Sequence, residues 1–337
     1  MKTPSLALAL LMAASLPGRA EDTVAALKAG GLVLETTGPI TLVAEDLTLS
    51  ETAVQADYRF RNATGADIEA TLAFPIPDIV GGPGMAVAIP DPAHDNVLGF
   101  DAAVDDQSVP WQVEQHAFLT RDGRPVEITG ELAGLGIPLV PTVDATAVAL
   151  RRLPESRRRL LIEARILDRQ EHADGTLADV PLWTLKSRFW RRQAFPAGRE
   201  LAVRQRFVPS LASQSGLSFG SPDLGPAAMA GYADRFCTDP AFARLAQSLY
   251  RRASADGSRS FQAYEESLSY AVAPGHGWAG PIGTFRLIVD KGDPATMVSF
   301  CGSNVRKTGP TTFEMVVKDY VPQRDIDILF LKTTTRG

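Results

Sequence analysis

The stretch Val54-Gln55-Ala56-Asp57-Tyr58-Arg59-Phe60-Arg61 decides the fold class. Val54, Ala56, Tyr58 and Phe60 are apolar and alternate with four polar residues, the period of a strand with one buried face. Asn62 to Asp67, with Thr64 and Gly65, is turn-like. Alternation resumes at Ile68, Ala70, Leu72 and Phe74, so the two runs predict an antiparallel hairpin. Pro75 and Pro77 end it in this reading, because proline cannot donate to a ladder.

Working outward, residues 78–95 are rich in Gly and Pro and read as an exposed loop, with further strands at 97–104 and 109–113. From 126 the pattern changes. Asp144 suits the cap of a short helix, and Pro154 the start of a second with Leu160, Leu161, Ala164 and Leu167 on one stripe. Strands return near Leu182, with Leu201, Val203 and Phe207 alternating with Arg204 and Arg206. A Gly/Ser/Pro-rich loop at 210–226 precedes a strong helix signal. There Asp239 is the N-cap, Pro240 the first helical residue, and Phe242, Leu245, Ala246, Leu249 and Tyr250 the apolar face. Short alternating strands follow at 285–289, 297–301, 313–317 and 326–330. The reading is a mainly β chain: two antiparallel β-sandwich regions, 21–125 and 179–337, with a helical insertion or linker at 126–178.

The first twenty residues read as a cleaved secretory signal peptide. Lys2 supplies the positive start, Leu6 to Met12 the apolar run, and Gly18-Arg19-Ala20 the small residues of a cleavage site before Glu21. The apolar run is too short to span a bilayer, and the leader has no cysteine for lipoprotein processing. A periplasmic or secreted location is expected, with no transmembrane segment after cleavage. The net charge of −5 argues against nucleic-acid binding, where phosphate neutralisation supplies most of the affinity. With 45% apolar and 22% charged residues, the chain is composed like a globular protein, not a disordered one. The two cysteines, Cys237 and Cys301, read as one disulfide in an exported chain; free thiols or metal thiolates are the alternatives.

Taken together, several segments resemble a family of exported bacterial proteins classified as a domain of unknown function. They are E-D-T-V-A-A-L-K-A-G-G-L-V-L (21–34), Y-R-F-R-N and F-P-I-P-D (within 58–78), P-L-W-T-L and F-W-R-R-Q-A-F-P-A-G (within 181–198), F-C-T-D (236–239), and G-P-I-G-T-F-R-L-I-V-D-K-G with V-S-F-C (within 280–301). The resemblance implies a periplasmic setting and a family-wide cysteine pair, and supplies no catalytic or ligand residues. Residues 58–77 are also similar to the strand-turn-strand-Phe-Pro element of the vault and inter-alpha-trypsin domain, a β-sandwich.

Chemistry is sparse. Gly216-Leu217-Ser218-Phe219-Gly220 matches the G-x-S-x-G pattern, but a nucleophile elbow needs a buried strand before it and a helix after it, and neither flank fits. Of His94, His116, His172 and His276, the last is the best candidate, set between glycines in Pro274-Gly275-His276-Gly277-Trp278; H-E-x-x-H is absent. Asp91, Asp95 and Asp101 cluster without an EF-hand spacing. No cofactor is expected. Arg188, Trp190, Arg191 and Arg192 form a basic, aromatic stretch in an acidic chain, a contact surface for an anionic ligand or an envelope partner. The expected role is non-catalytic binding or accessory; the alternatives are an envelope hydrolase using His276 or Ser218, and a structural partner of another envelope protein.

Overall fold

The computed structural model describes residues 23–35, 38–171, 175–256, 260–272 and 277–335. The expected signal peptide, His172 and His276 lie outside the described residues.

Strands and helices are numbered in chain order. The largest sheet has eight strands in the order β19 (Arg306–Lys307), β20 (Thr312–Tyr320), β17 (Ile282–Asp290), β3 (Ile40–Ser50), β4 (Val54–Asn62), β14 (Glu200–Phe207), β7 (Asp101–Val104) and β8 (Gln107–Ser108). A five-stranded sheet runs β10 (Arg124–Glu127), β9 (Gln112–Arg121), β13 (Thr184–Phe195), β5 (Ile68–Val80) and β2 (Val33–Leu34). A six-stranded sheet runs β18 (Met297–Phe300), β21 (Ile326–Thr335), β16 (Phe261–Tyr270), β15 (Ala212–Gln214), β1 (Thr23–Ala26) and β6 (Val87–Ala88). β11 (Leu167–Glu171) and β12 (Leu177–Pro181) form a separate hairpin. The helices are α1 (Thr129–Gly134), α2 (Val143–Arg152), α3 (Glu155–Glu163), α4 (Pro226–Phe236) and α5 (Pro240–Ala255). The fold is mainly β. Pairing is antiparallel except for β17 with β3 and β1 with β6. Each of the three large sheets takes strands from both 21–125 and 179–337.

The opening motif alternates as read: Val54, Ala56, Tyr58 and Phe60 are buried on β4. It does not form a hairpin, however. β4 pairs with β3 and β14, while β5 pairs with β13 and β2 in another sheet. The turn between them is a corner from one sandwich layer to the other. Buried Asn62 fixes it, donating from Nδ2 to the carbonyls of Ala66 and Phe195, each at 2.8 Å. Phe195 ends β13 at a matching corner into β14, so one amide side chain binds both crossings. Pro75 and Pro77 do not end β5, which continues to Val80. Beyond Ala73 its second edge is unpaired among the described strands, a place where proline is tolerated.

The predicted strand at 97–104 starts only at Asp101, because Asn96 brackets Phe100 with hydrogen bonds to its N–H and C=O at 2.7 and 2.9 Å. Thr142, not Asp144, caps α2, accepting from Ala145 N at 3.2 Å. On α3 only Leu161 is fully buried; Leu160 is exposed, and Leu167 belongs to β11. Helices α1 to α3 and β11 pack with Ala117, Leu119 and Trp183 around a small core of their own. The main core lies between the large sheets.

At the centre of that core, β3 and β4 lose register between Leu42 and Ala44. The bulge inserts one residue and turns Glu45 to the inner face, opposite Tyr58. The Tyr58 and Tyr270 hydroxyls meet at 3.2 Å, and Leu32 N donates to Tyr58 at 3.3 Å. Glu45, Tyr58 and Tyr270 line a cavity of about 10 Å³ beside Trp278. A methyl on Gly31 would fall 2.7 Å from the Tyr58 oxygen and 3.0 Å from that of Tyr270, so the chain passes here only as glycine.

Burial, with Asp46 adding repulsion, pushes the Glu45 carboxyl up to about 8. The unfolded chain ionises near pH 4.5, so stability from the neutral acid is complete below that pH and is lost as pH rises to about 8. Glu45→Gln removes this proton. Its stability relative to wild type should rise by about 1.4 kcal/mol per pH unit between pH 5 and 8. Urea melts at several pH values measure this; parallel profiles would contradict it.

Candidate functional site

Helix α4 roofs one face of the six-stranded sheet. Gly225 is extended at the N-cap and Pro226 occupies the first turn, where a missing N–H costs nothing. Cys237 ends the helix with φ 53°, the left-handed cap geometry that glycine usually supplies. Its sulfur is bonded to Cys301, just beyond β18, with the Cα atoms 5.0 Å apart. The expected disulfide is present, and it ties the end of α4 and the start of α5 to the sheet. Ser299 Oγ adds a 2.9 Å hydrogen bond to the Phe236 carbonyl. Asp239 caps α5 as read, accepting from Phe242 N at 2.7 Å. Leu245 turns outward, however, while Phe242, Ala243, Ala246 and Leu249 face the sheet.

Between α4 and the sheet lies a cleft of about 480 Å³. Its floor includes Ala25, Gln214, Glu265 and Ser267, and its roof Ala228, Gly231, Tyr232 and Arg235. Both ends are held by polar clusters. At one, buried Glu265 accepts from Phe219 N at 3.0 Å and from Tyr232 Oη at 2.5 Å. At the other, Arg235 reaches Asp327 and Ser269, each at 2.9 Å, and Ser269 donates to Asp327 at 2.5 Å. The size matches small-ligand pockets, which combine apolar walls with a few fixed polar groups. The lining combines Ala25, Ala212 and Leu329 with the polar side chains of Gln214, Ser267 and Arg235.

Ser218 lies beside this cleft but not in it. Leu217 and Phe219 on either side are buried in the core under α4 and α5, and Gly220 presses against the backbone of Ala246. The G-x-S-x-G stretch is therefore a packing loop, anchored by the residues around the serine. Ser218 Oγ bonds the Gln214 side chain. His94 pairs with Asp91, and His116 bridges Glu127 and Glu114, whose hydrogen bonds hold its imidazole above the usual range. Among the described residues no group of three or more His, Cys, Asp or Glu is placed to hold a metal.

The Arg/Trp stretch lies on β13 and divides by face. Arg188 points outward and is clasped by Glu114, at 2.9 and 2.7 Å, and by Glu35. Arg192, also outward, is 3.3 Å from Glu69, and Trp190 is half-buried. Arg191 points inward. The basic run is thus compensated in large part by carboxylates of neighbouring strands and by Glu35.

Two features of the structure, one at the cleft and one in the main core, were not read from the sequence. One is α4 itself, which lies directly after the loop; Gly225-Pro226 followed by Ala227-Ala228 is a start signal of the kind that identified α5. The other is Glu45, whose inward turn depends on a bulge that strict alternation hides.

Similarity to known proteins is distant except at the family level. A Legionella pneumophila protein described provisionally as nutrient binding shares 12% identity, with a TM-score of 0.49 over 92% of this chain and 72% of that one. An M1 zinc metallopeptidase from Deinococcus radiodurans shares 10%, with a TM-score of 0.23, over 88% of this chain and 43% of that one. Neither likeness is close enough to speak for function. No curated protein matches the chain. The vault and inter-alpha-trypsin resemblance rests on residues 58–77 of the sequence alone. Among the described residues no helix is long and apolar enough to cross a membrane. The model of the domain of unknown function DUF4424 matches residues 20–329, and with nearly its whole length covered the chain belongs to that family.

Proposed function

We propose that the protein is an exported envelope protein that binds a small molecule in the cleft beneath α4 and does not transform it. One observation carries this reading: a 480 Å³ cleft whose roof is tethered by a disulfide and whose two ends are fixed by hydrogen-bonded polar clusters. Such pre-organisation lowers the ordering cost of binding. The leader-like start and the disulfide support a periplasmic or secreted setting. The ligand suited to the site is compact and largely apolar, with a polar group to meet Ser267, Gln214 or the rim of Arg235. The hydrolase alternative has no serine–histidine pair to support it among the described residues.

Gly231 supplies the test. It faces the cleft, and a Cβ built on it meets no atom within 4 Å. Gly231→Leu therefore has room for its Cβ, projects a side chain into the cleft, and replaces a poor helix former, which by propensity adds up to about 1 kcal/mol. Native mass spectrometry of the protein isolated from its producing cells should find wild type carrying a small molecule and the variant without it, at equal or higher thermal stability. Identical masses for the two proteins, each without an adduct or each with the same one, would count against the cleft.

A further inference from the structure

Three polar side chains face one small cavity in the main core. Glu45 is 3% exposed, and Tyr58 and Tyr270 are 1% exposed each. All three line the cavity of about 10 Å³ beside Trp278. The bulge in β3 brings Glu45 to this face, opposite Tyr58.

The hydrogen bonds these groups make with one another do not account for all their protons and lone pairs. The two phenols carry two hydroxyl protons, and only one of them can lie between oxygens that meet at 3.2 Å. Tyr58 Oη also accepts from Leu32 N, which uses a lone pair and leaves the second phenolic proton to be placed. Glu45 is near enough for its charge to act on both phenols, yet it is hydrogen-bonded to neither. Its carboxyl has no hydrogen-bond partner among the described residues. Buried polar groups are paired in the great majority of cases, and a buried carboxyl beside a phenolic proton calls for a group that can both accept and donate.

We propose that the cavity is the binding site of one structural water molecule that bridges Glu45 to the tyrosine pair. The water accepts the second phenolic proton and donates to a carboxyl oxygen of Glu45. A buried water needs at least two such polar partners and a cavity of at least about 10 Å³, whereas an organic ligand needs hundreds. Leu32 and Val272 close the apolar side of the cavity. The water thus ties the side chain of β3 to the hydroxyls of β4 and β16, and it satisfies an acid that the bulge has turned into the core. This site and the α4 cleft share no lining residue, so its failure leaves the cleft reading untouched.

Two measurements test this. A crystal structure of the wild-type protein at about 1.5 Å resolution should show a water oxygen about 2.6–3.2 Å from a Glu45 carboxyl oxygen and from the oxygen of Tyr58 or Tyr270. Oxygen-17 relaxation dispersion counts waters held inside a protein for longer than it takes to tumble. Glu45→Met, which replaces the carboxyl by an apolar chain of similar length, should lose one such water relative to wild type. Should that variant not fold, the wild-type structure decides alone. The proposal is overturned if the cavity shows no density, if Glu45 bonds a tyrosine hydroxyl directly, or if the folded variant keeps the wild-type water count.

Discussion

The hydrogen bond between Tyr58 and Tyr270 joins the eight-stranded sheet to the six-stranded sheet, and the arrangement of the molecule depends on that contact. Both rings are fully buried, and burial holds both phenols well above their usual ionisation range. Two buried hydroxyls require partners, since an unmet polar group costs about 1–3 kcal/mol. Each supplies the other, and Leu32 N supplies a second bond to Tyr58. The chain between β1 and β2 must slip past this pair. Gly30 and Gly31 allow it: a Cβ on Gly30 would lie 2.5 Å from the Ala271 carbonyl oxygen. Gly30 also bridges to Ala271, next to Tyr270, which fixes the strand segment against the second sheet.

The candidate site inherits its shape from this junction. β16 carries Tyr270 toward the main core, and it carries Glu265 and Ser267 on the opposite face, into the α4 cleft. One strand therefore sets both the clamp between sheets and the floor of the cleft. The disulfide acts at the other boundary, where Cys301 follows β18 and holds the end of the roof. A small ligand would meet surfaces fixed from two sides, which favours selectivity over adaptability.

Much of the fold was legible because strand alternation is a local signal. The buried faces of β4, β14 and β21 follow from their own residues, and α5 from Asp239-Pro240. Layer assignment was not legible. The β4–β5 corner looks like a hairpin because a polar turn between alternating runs carries no record of which sheet each run joins. Only the buried side chain of Asn62, reaching Phe195 across 133 positions, reveals the crossing. Glu45 was hidden for a related reason: a one-residue bulge reverses inside and outside for everything after it. The Arg188–Arg192 run was visible as charge. Its division into outward, paired arginines and one inward arginine with no ion pair among the described residues depends on carboxylates of Glu35, Glu69 and Glu114, far away in sequence.

A double-mutant cycle on Tyr58→Phe and Tyr270→Phe, read by chemical denaturation, tests the clamp most directly. Each replacement keeps the ring and removes one hydroxyl. If the two hydroxyls hold the sheets together, the single losses will not add, and the cycle will return a coupling of about 1 kcal/mol. Additive losses, agreeing within about 0.3 kcal/mol, would mean that this hydroxyl pair does not hold the sheets together.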